Sequence, residues 1–269
     1  MITGTTRLFA IIGDPVGHVR TPMSFNAYFA EHGIDAVCVA LHIGRHDLAS
    51  GWEGLKALRN LDGFIITAPH KTEAARLCDR LVDDGEHVGV VNTVRREPDG
   101  SFTGTLLDGR GFVAGLRAFG HDPAGKRVFM AGAGGAGNAL AFALANAGAV
   151  AITIHNRTHS KAEDLAARVQ RAFPNCRVRL GTIDASRHDI AVNATSLGLE
   201  SDDPFSFDLG TVAPDALVAE VIMMPATTPL LRAAEAAGYR IHRGTHMLDG
   251  QLGEMMSFFG LDQPVCVGA

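Results

Sequence analysis

Residues 127–161 constrain the fold more than any other stretch of this chain. An apolar run at 128–131 leads directly into GAGGAG (132–137), then into a helix-forming stretch up to Ala147, then into a second apolar run at 149–154. A buried run, a glycine turn, a helix and another buried run predict a β-turn-α-β unit of a parallel sheet.

The glycines of this unit lie where a dinucleotide pyrophosphate would meet the first turn of a helix. Gly132 permits a tight turn, and Gly137 lets the helix pack closely on the strand. Between them the backbone can approach phosphate groups, because glycine carries no side chain. The pattern therefore favours a bound dinucleotide over an incidental glycine-rich turn. The residues predicted to contact it are Gly132, Ala133, Gly134, Gly135 and Ala136.

The end of the second strand indicates which dinucleotide binds. An NAD site usually has Asp or Glu about 20 residues after the first glycine, bonded to the ribose 2′-OH. This chain has His155 and Asn156 there, followed by Arg157, Thr158 and, one turn later, Lys161. Two cations in place of an acid favour a 2′-phosphate, so the predicted cofactor is NADP. The side chains expected to bind it are Asn156, Arg157, Thr158 and Lys161.

Composition argues against several other classes of function. The formal net charge of the 269 residues is −5 and no cluster of Lys and Arg is present, so we expect no nucleic-acid partner. Neither a CxxC pair nor an HExxH motif occurs, which predicts free thiols and no metal site. The cysteines are Cys38, Cys78, Cys176 and Cys266.

Nothing in the sequence predicts membrane insertion or secretion. The stretch 128–156 has no formally charged residue, but glycines and asparagines interrupt it, and burial in a parallel sheet explains its apolarity. The first residues show no apolar core with a cleavage site. We therefore expect a cytoplasmic protein with no membrane partner.

Predicted strands and helices alternate along the chain. Strands are predicted at 8–12, 36–43, 63–67, 88–94, 105–108, 178–180, 190–194 and 217–222. One helix is predicted after an N-cap at Thr21, and another after a capping box of Ser160 and Glu163. Further helices are predicted at 47–60, 70–82, 111–119 and 247–259. The alternation predicts an α/β fold class with two domains and a ligand site at the carboxyl ends of strands. One is an α/β domain, and the other is a Rossmann-type nucleotide-binding domain with a mainly parallel sheet.

Two side chains in the first part of the chain are suited to proton transfer. Lys71 follows a predicted strand in TAPHK (67–71), and Asp108 precedes the helix at 111–119. A carboxylate can orient an amine that accepts and releases a proton. Each residue taken alone is more often a surface charge, and we expect His70 to be a solvated residue at a helix start.

Eight motifs occur along the chain in a particular order. They are GDPVGHVRTP (13–22), TAPHK (67–71), VVNT (90–93), LDG (107–109), GAGGAG (132–137), NRTHSK (156–161), NATSLG (193–198) and MLDGQ (247–251). In this order, and at nearly this spacing, they resemble the shikimate/quinate dehydrogenase family over almost the whole chain.

The resemblance implies a fold and a reaction. It implies a substrate domain at 1–108, completed by a C-terminal helix within 244–269, and an NADP-binding Rossmann domain at 109–243. The implied enzyme transfers a hydride between nicotinamide and a ring carbon of shikimate or a close alicyclic hydroxy acid, in aromatic amino acid biosynthesis. The family also implies a monomer or homodimer. By position, the catalytic residues are Lys71 and Asp108, residues that contact ring hydroxyls are Thr67, Asn92 and Gln251, and further cofactor contacts are Thr195, Val221 and Gly244.

The chain departs from the family where the substrate carboxylate is expected. The family usually has Ser-x-Ser after its first histidine, whereas this chain has Val19 and Thr21 at those substrate-binding positions. A family tyrosine that reaches the carboxylate corresponds to Met223, and the usual Asn-Thr before Asp108 is Leu106-Leu107. Two further departures are His246 and Asp249.

These departures leave three interpretations open. Lost donors to the carboxylate favour a paralogue that acts weakly on shikimate and prefers quinate or another ring hydroxy acid. Neutral drift, with water in the gaps or compensation by Arg20 or His246, would preserve shikimate as the substrate. A catalytically degenerate NADP-binding sensor is a third interpretation, but a pure binder has no need of both Lys71 and Asp108.

Overall fold

The computed structural model describes residues 1–262, apart from the side chain of Asp249. The chain divides into two compact units. Among the described residues, the first contains 1–107 together with 252–262, and the second is Asp108–Gln251. The expected substrate domain (1–108 with a C-terminal helix in 244–269) and NADP domain (109–243) stay predictions. Cys266 lies outside the described residues.

The first unit alternates strands and helices around one six-stranded sheet. Its elements are β1 (Arg7–Gly13), α1 (Thr21–Glu31), β2 (Ala36–His42), α2 (Leu48–Ala57), β3 (Leu61–Ile66), α3 (Lys71–Leu77), β4 (Arg80–Leu81), α4 (Asp84–Val88), β5 (Thr93–Arg96) and β6 (Phe102–Thr105). The strand order is β2-β1-β3-β5-β6-β4, and β5 runs antiparallel to β3 and β6.

Aromatic side chains fill both faces of this sheet. Trp52, Phe64 and Phe102 meet edge to face with ring centroids 5.1–5.5 Å apart. Phe9 lies in a separate cluster with Phe25, and its ring centroid is 5.0 Å from that of Phe259, near the end of the chain. Such edge-to-face pairs add to the stabilisation that burial of the rings already provides.

The second unit contains a six-stranded sheet that is parallel throughout. Its elements are α5 (Asp108–Ala118), β7 (Arg127–Ala131), α6 (Gly135–Asn146), β8 (Ala151–His155), α7 (His159–Ala172), β9 (Arg177–Leu180), β10 (Ile190–Asn193), β11 (Leu217–Glu220), α8 (Pro229–Ala236), β12 (Arg240–His242) and the first part of α9 (Thr245–Phe258). The strand order β12-β11-β10-β7-β8-β9 changes direction between β7 and β10, as in a doubly wound nucleotide-binding fold. The predicted α/β class with a Rossmann-type domain is confirmed.

Several local predictions are wrong. The strand predicted at 88–94 is the end of α4 followed by β5, because Gly89 ends the helix with φ +69°. Arg20 rather than Thr21 precedes the first turn of α1. The capping box also fails: α7 begins at His159 after Thr158, so Ser160 lies inside its first turn. Two short strands, β4 and β12, were not predicted.

No helix among residues 1–262 is both long and apolar enough to cross a membrane.

Candidate functional site

The glycine loop after β7 requires glycine at two positions. Gly132 has φ +115°, and a Cβ there would lie 2.6 Å from the carbonyl oxygen of Ala194. A Cβ at Gly137 would lie 2.2 Å from the carbonyl oxygen of Gly132. The N–H of Gly132 donates to the carbonyl of His155 at 2.7 Å, which ties the loop to the end of β8. The close packing expected of these two glycines is therefore present.

The middle of the loop leaves room for a phosphate group. Gly134 and Gly135 are exposed, and no described atom lies within 4 Å of the Cβ position of either one. Gly135 and Ala136 form the first turn of α6, where unpaired backbone N–H groups attract anions. The N–H of Ala133 donates instead to Oδ1 of Asn156 at 3.0 Å, so it holds the loop in place. The residues present fit a dinucleotide pyrophosphate.

The loop after β8 presents cations without an acid. Asn156 joins this loop to the glycine loop. Its Oδ1 accepts from the N–H of Ala133, and its Nδ2 donates to the carbonyl of Thr158 at 2.8 Å. Arg157, Thr158 and Lys161 are all exposed, and no Asp or Glu occurs at 155–162. This set fits a 2′-phosphate, which a guanidinium and an ammonium can both bind.

The remaining predicted cofactor residues follow the other strands of the same sheet. Buried Asn193, at the end of β10, accepts at Oδ1 from the N–H (3.1 Å) and Oγ1 (2.7 Å) of Thr195. Its backbone carbonyl accepts from the N–H of Val221 at 3.2 Å. Gly244 is buried directly after β12. These residues therefore lie beyond the carboxyl ends of parallel strands, where such sheets bind ligands.

Asp108 and Gln251 form a direct pair in the second unit. Asp108 begins α5, and Gln251 on α9 donates from Nε2 to its Oδ1 at 2.6 Å. Gln251 is only 7% exposed, whereas Asp108 is half-buried. A carboxylate held by an amide donor is oriented for proton chemistry.

Lys71 lies in the first unit, as the first residue of α3. It is half-buried, and its backbone carbonyl accepts from the N–H of Val91 at 3.1 Å. His70, just before it, is 1% exposed, and its Nε2 is 2.8 Å from the carbonyl oxygen of Ile43. The prediction that His70 is solvated is wrong, because this ring is buried against the segment after β2. The predicted Lys71–Asp108 pair has one member in each unit and stays a prediction.

Asn92 and Thr67 are fixed by the first unit's own hydrogen bonds. Asn92 is 3% exposed, and its Oδ1 accepts from the N–H of Leu107 (2.9 Å) and from Oγ1 of Thr93 (3.0 Å). These contacts identify Oδ1 as the acceptor side of the amide and Nδ2 as its donor side. Thr67 directly follows β3, and its N–H donates to the carbonyl of Ile12 at 2.9 Å.

The departures from the family fall into two structural groups. Leu106 and Leu107 are fully buried core residues. Val19 is half-buried and packs against the apolar cluster that contains Phe9, Phe25 and Leu107. At this position the chain therefore adds to an apolar surface where the family has a hydroxyl group.

The other departures lie outside the apolar cluster of the first unit. Thr21 begins α1 and is half-buried, as is Met223 in the segment between β11 and α8. The ring of His246 stacks on Phe119 with centroids 3.7 Å apart, within the second unit. The side chain of Asp249 lies outside the described residues.

Sequence reasoning missed Glu220, a buried carboxyl group at the end of β11. Burial raises its pKa to about 7, although Thr228 donates to its Oε2 at 2.9 Å. A lone acid that ends the apolar run at 217–219 is the signal that could have revealed it.

Comparison with known proteins identifies the family. Residues 11–94 match the shikimate dehydrogenase substrate binding domain, and residues 116–198 match shikimate / quinate 5-dehydrogenase. The shikimate dehydrogenase (NADP(+)) of Acidiphilium cryptum (strain JF-5) is 38% identical over 92% of this chain and 88% of that protein. The chain belongs to the shikimate/quinate dehydrogenase family. The resemblance found in the motifs is confirmed.

Two solved structures related to this family member differ in the substrates that their names state. Shikimate 5-dehydrogenase from Listeria monocytogenes, in complex with shikimate and NAD, is 30% identical with a TM-score of 0.89, covering 98% of this chain and 95% of that one. The 5-ketofructose reductase of Gluconobacter sp. strain CHM43, in ligand-free form, is 32% identical with a TM-score of 0.85, covering 94% and 92%.

Proposed function

We propose that this protein is an NADP-dependent oxidoreductase that interconverts shikimate, or a close alicyclic hydroxy acid, and its 3-dehydro ketone. The observation that carries the proposal is the set of polar residues kept at the family's motif positions. Within this set, Asn92 and Gln251 are both held by short hydrogen bonds. The complete set is Thr67, Lys71, Asn92, Asp108 and Gln251.

The chain's own residues supply binding, orientation and proton transfer. Residues 1–108 with the C-terminal segment form the substrate domain, and 109–243 the NADP domain. NADP, when bound, supplies the hydride acceptor. Lys71 accepts the proton of the substrate hydroxyl as the C–H hydride leaves, with Asp108 as its carboxylate partner. Thr67, Asn92 and Gln251 hydrogen-bond the ring hydroxyls and align the reacting carbon.

Substitution of Lys71 tests this role. We expect Lys71→Ala to lower kcat about 10²- to 10⁴-fold, the usual contribution of a general acid–base residue. The matched control is Lys126→Ala, which removes an exposed lysine of the second unit. The measurement is NADPH absorbance in both reaction directions. If Lys71→Ala keeps wild-type turnover, the assigned role is wrong, whereas a wild-type protein inactive on every substrate would favour the sensor interpretation.

A second candidate function is the reduction of a polyhydroxy ketone that carries no carboxylate. Val19 extends an apolar cluster where the family has a hydroxyl donor, and a chain of similar fold is a 5-ketofructose reductase. A panel of shikimate, quinate, 3-dehydroshikimate and 5-ketofructose, each with NADP(H) and NAD(H), separates the two candidates. A kcat/KM for 5-ketofructose well above those for the ring acids would favour the second.

A further inference from the structure

A side-chain relay reaches from α7 into the glycine loop. Arg168 donates from Nη2 to the amide oxygen of Asn138, in the first turn of α6. Asn138 in turn donates from Nδ2 to the carbonyl oxygens of Ala133 (3.2 Å) and Gly134 (2.9 Å). The relay therefore joins a side chain in the middle of α7 to the backbone of the loop.

Neighbouring groups hold Arg168 in position. Its Nε donates to Oδ2 of Asp164, one turn earlier, at 2.8 Å, and its guanidinium lies 5.7 Å from the ring centroid of Phe142. The side chain of Arg168 is only 29% exposed. A guanidinium packed between a carboxylate and a ring loses little further freedom when it bonds Asn138.

Arg168 determines which way the amide of Asn138 faces. A guanidinium has only donors, so it can bond only the oxygen of that amide. Once Oδ1 faces Arg168, Nδ2 must face the loop carbonyls. Without Arg168 the amide oxygen would lose this donor, and only the two loop carbonyls would then orient the amide.

The bonded carbonyls determine where the loop N–H groups point. In a planar trans peptide the C=O and N–H groups point in opposite directions. The side chain of Asn138 holds the carbonyl of Ala133, and its side chain together with its backbone N–H (2.9 Å) holds that of Gly134. The N–H groups of Gly134 and Gly135 therefore point away from Asn138. These two N–H groups belong to the exposed part of the loop that fits a pyrophosphate.

We propose that Arg168 is a positioning residue for the dinucleotide: through Asn138 it presents the N–H groups of Gly134 and Gly135 to the pyrophosphate. This inference rests on the proposed cofactor site but not on any choice of substrate. It differs from the role of Arg157 because the pyrophosphate is common to NAD and NADP.

Binding measurements without substrate test the inference. The variants are Arg168→Met, Asn138→Leu and the double variant, with Arg171→Met on the exposed end of α7 as control. Kd values for NADPH and NADH are obtained by fluorescence titration, together with the unfolding temperature of each apoprotein. We expect each single variant to bind both cofactors about 10-fold more weakly, and the double variant to bind them no more weakly than either single variant.

Three results would overturn the inference. They are wild-type affinity in Arg168→Met, a loss confined to NADPH that disappears at high salt, and additive losses in the double variant. The second would mean that Arg168 acts as a charge on the 2′-phosphate.

If Arg168→Met fails to fold, Asn138→Asp, which cannot donate to the carbonyls, gives the same comparison. A wild-type protein that binds neither cofactor would instead refute the proposed function.

Discussion

At the scale of single residues, two arginines near the glycine loop have different proposed roles. Arg157 is exposed directly after β8, in a segment with no acid to repel a phosphate. Arg168 is largely buried and bonds a protein amide. We therefore propose that cofactor choice depends on Arg157 and that affinity for either cofactor depends on Arg168.

Removal of the exposed arginine should change cofactor preference. We expect Arg157→Ala to weaken NADP binding about 10- to 100-fold, since a lost hydrogen bond to a charged group costs about 1.5–3 kcal/mol. NAD binding should change less than about twofold, because NAD has no 2′-phosphate. Titration of NADPH and NADH measures both effects, with Arg171→Ala as control. Equal losses for the two cofactors would contradict an NADP site at this loop.

At the scale of elements, local sequence patterns predicted the strands and helices of the β7-α6-β8 unit well. Contacts between residues distant in the sequence could not be predicted in this way. The β7-α6-β8 unit was predictable because its glycines and apolar runs are consecutive. The strand predicted at 88–94 and the start of α7 were misplaced by a few residues, and α4 was not predicted, because short polar segments have no clear periodicity. The burial of His70 depends on Ile43, 27 residues away, and no local pattern reveals such a contact.

Glu220 connects the end of β11 with the start of α8. Thr228 caps α8 by accepting from the N–H of Leu231 at 3.2 Å, and the same hydroxyl donates to Glu220. Glu220 is 0% exposed. The protonated form is therefore favoured in the folded protein, and the joined elements carry a pH-dependent interaction.

Burial of Glu220 should make this group's contribution to stability fall as the pH rises through the mildly acidic range. The pKa of Glu220 is raised from 4.5 to about 7, so between these values the folded protein binds more protons than the unfolded chain. The contribution of Glu220 to the free energy of unfolding should then decrease with pH across this window, by about 3 kcal/mol in total. Glu220→Gln should remove that decrease, as measured by urea unfolding at pH 4.5–8.

The matched control is Glu235→Gln, which changes an exposed acid of α8. It should leave the pH profile unchanged. A wild-type slope that persists in Glu220→Gln would show that another group causes it.

At the scale of the whole molecule, the sequence names the residues proposed for the chemistry but not the contacts that hold them. Family motifs assign Lys71, Asp108 and the glycine loop to the proposed reaction. The contacts that orient their neighbours join distant positions, such as Asn138 with Arg168. No local sequence pattern predicts such a pair, because each residue alone is an ordinary polar residue of a helix.

The final prediction concerns two positions at which the chain departs from the family, one in each unit. Val19 lies in the first unit and Met223 in the second. The family has Ser and Tyr there, both with hydroxyl donors. If the two positions face a substrate carboxylate, Val19→Ser should raise kcat/KM for shikimate about 10-fold, and Val19→Ser with Met223→Tyr about 100-fold, because each adds a hydrogen bond to a charged group.

Val19→Ala is the control, because it also removes apolar packing but adds no donor. Steady-state kinetics with shikimate and 5-ketofructose give the outcome. A gain for shikimate in Val19→Ser that is absent in Val19→Ala, with no gain for the uncharged ketone, would assign these positions to carboxylate recognition. Equal changes for both substrates would mean that the positions affect packing alone. In that case the apolar cluster at Val19 would no longer favour a ketone substrate, and the family's ring acids would remain the better candidates.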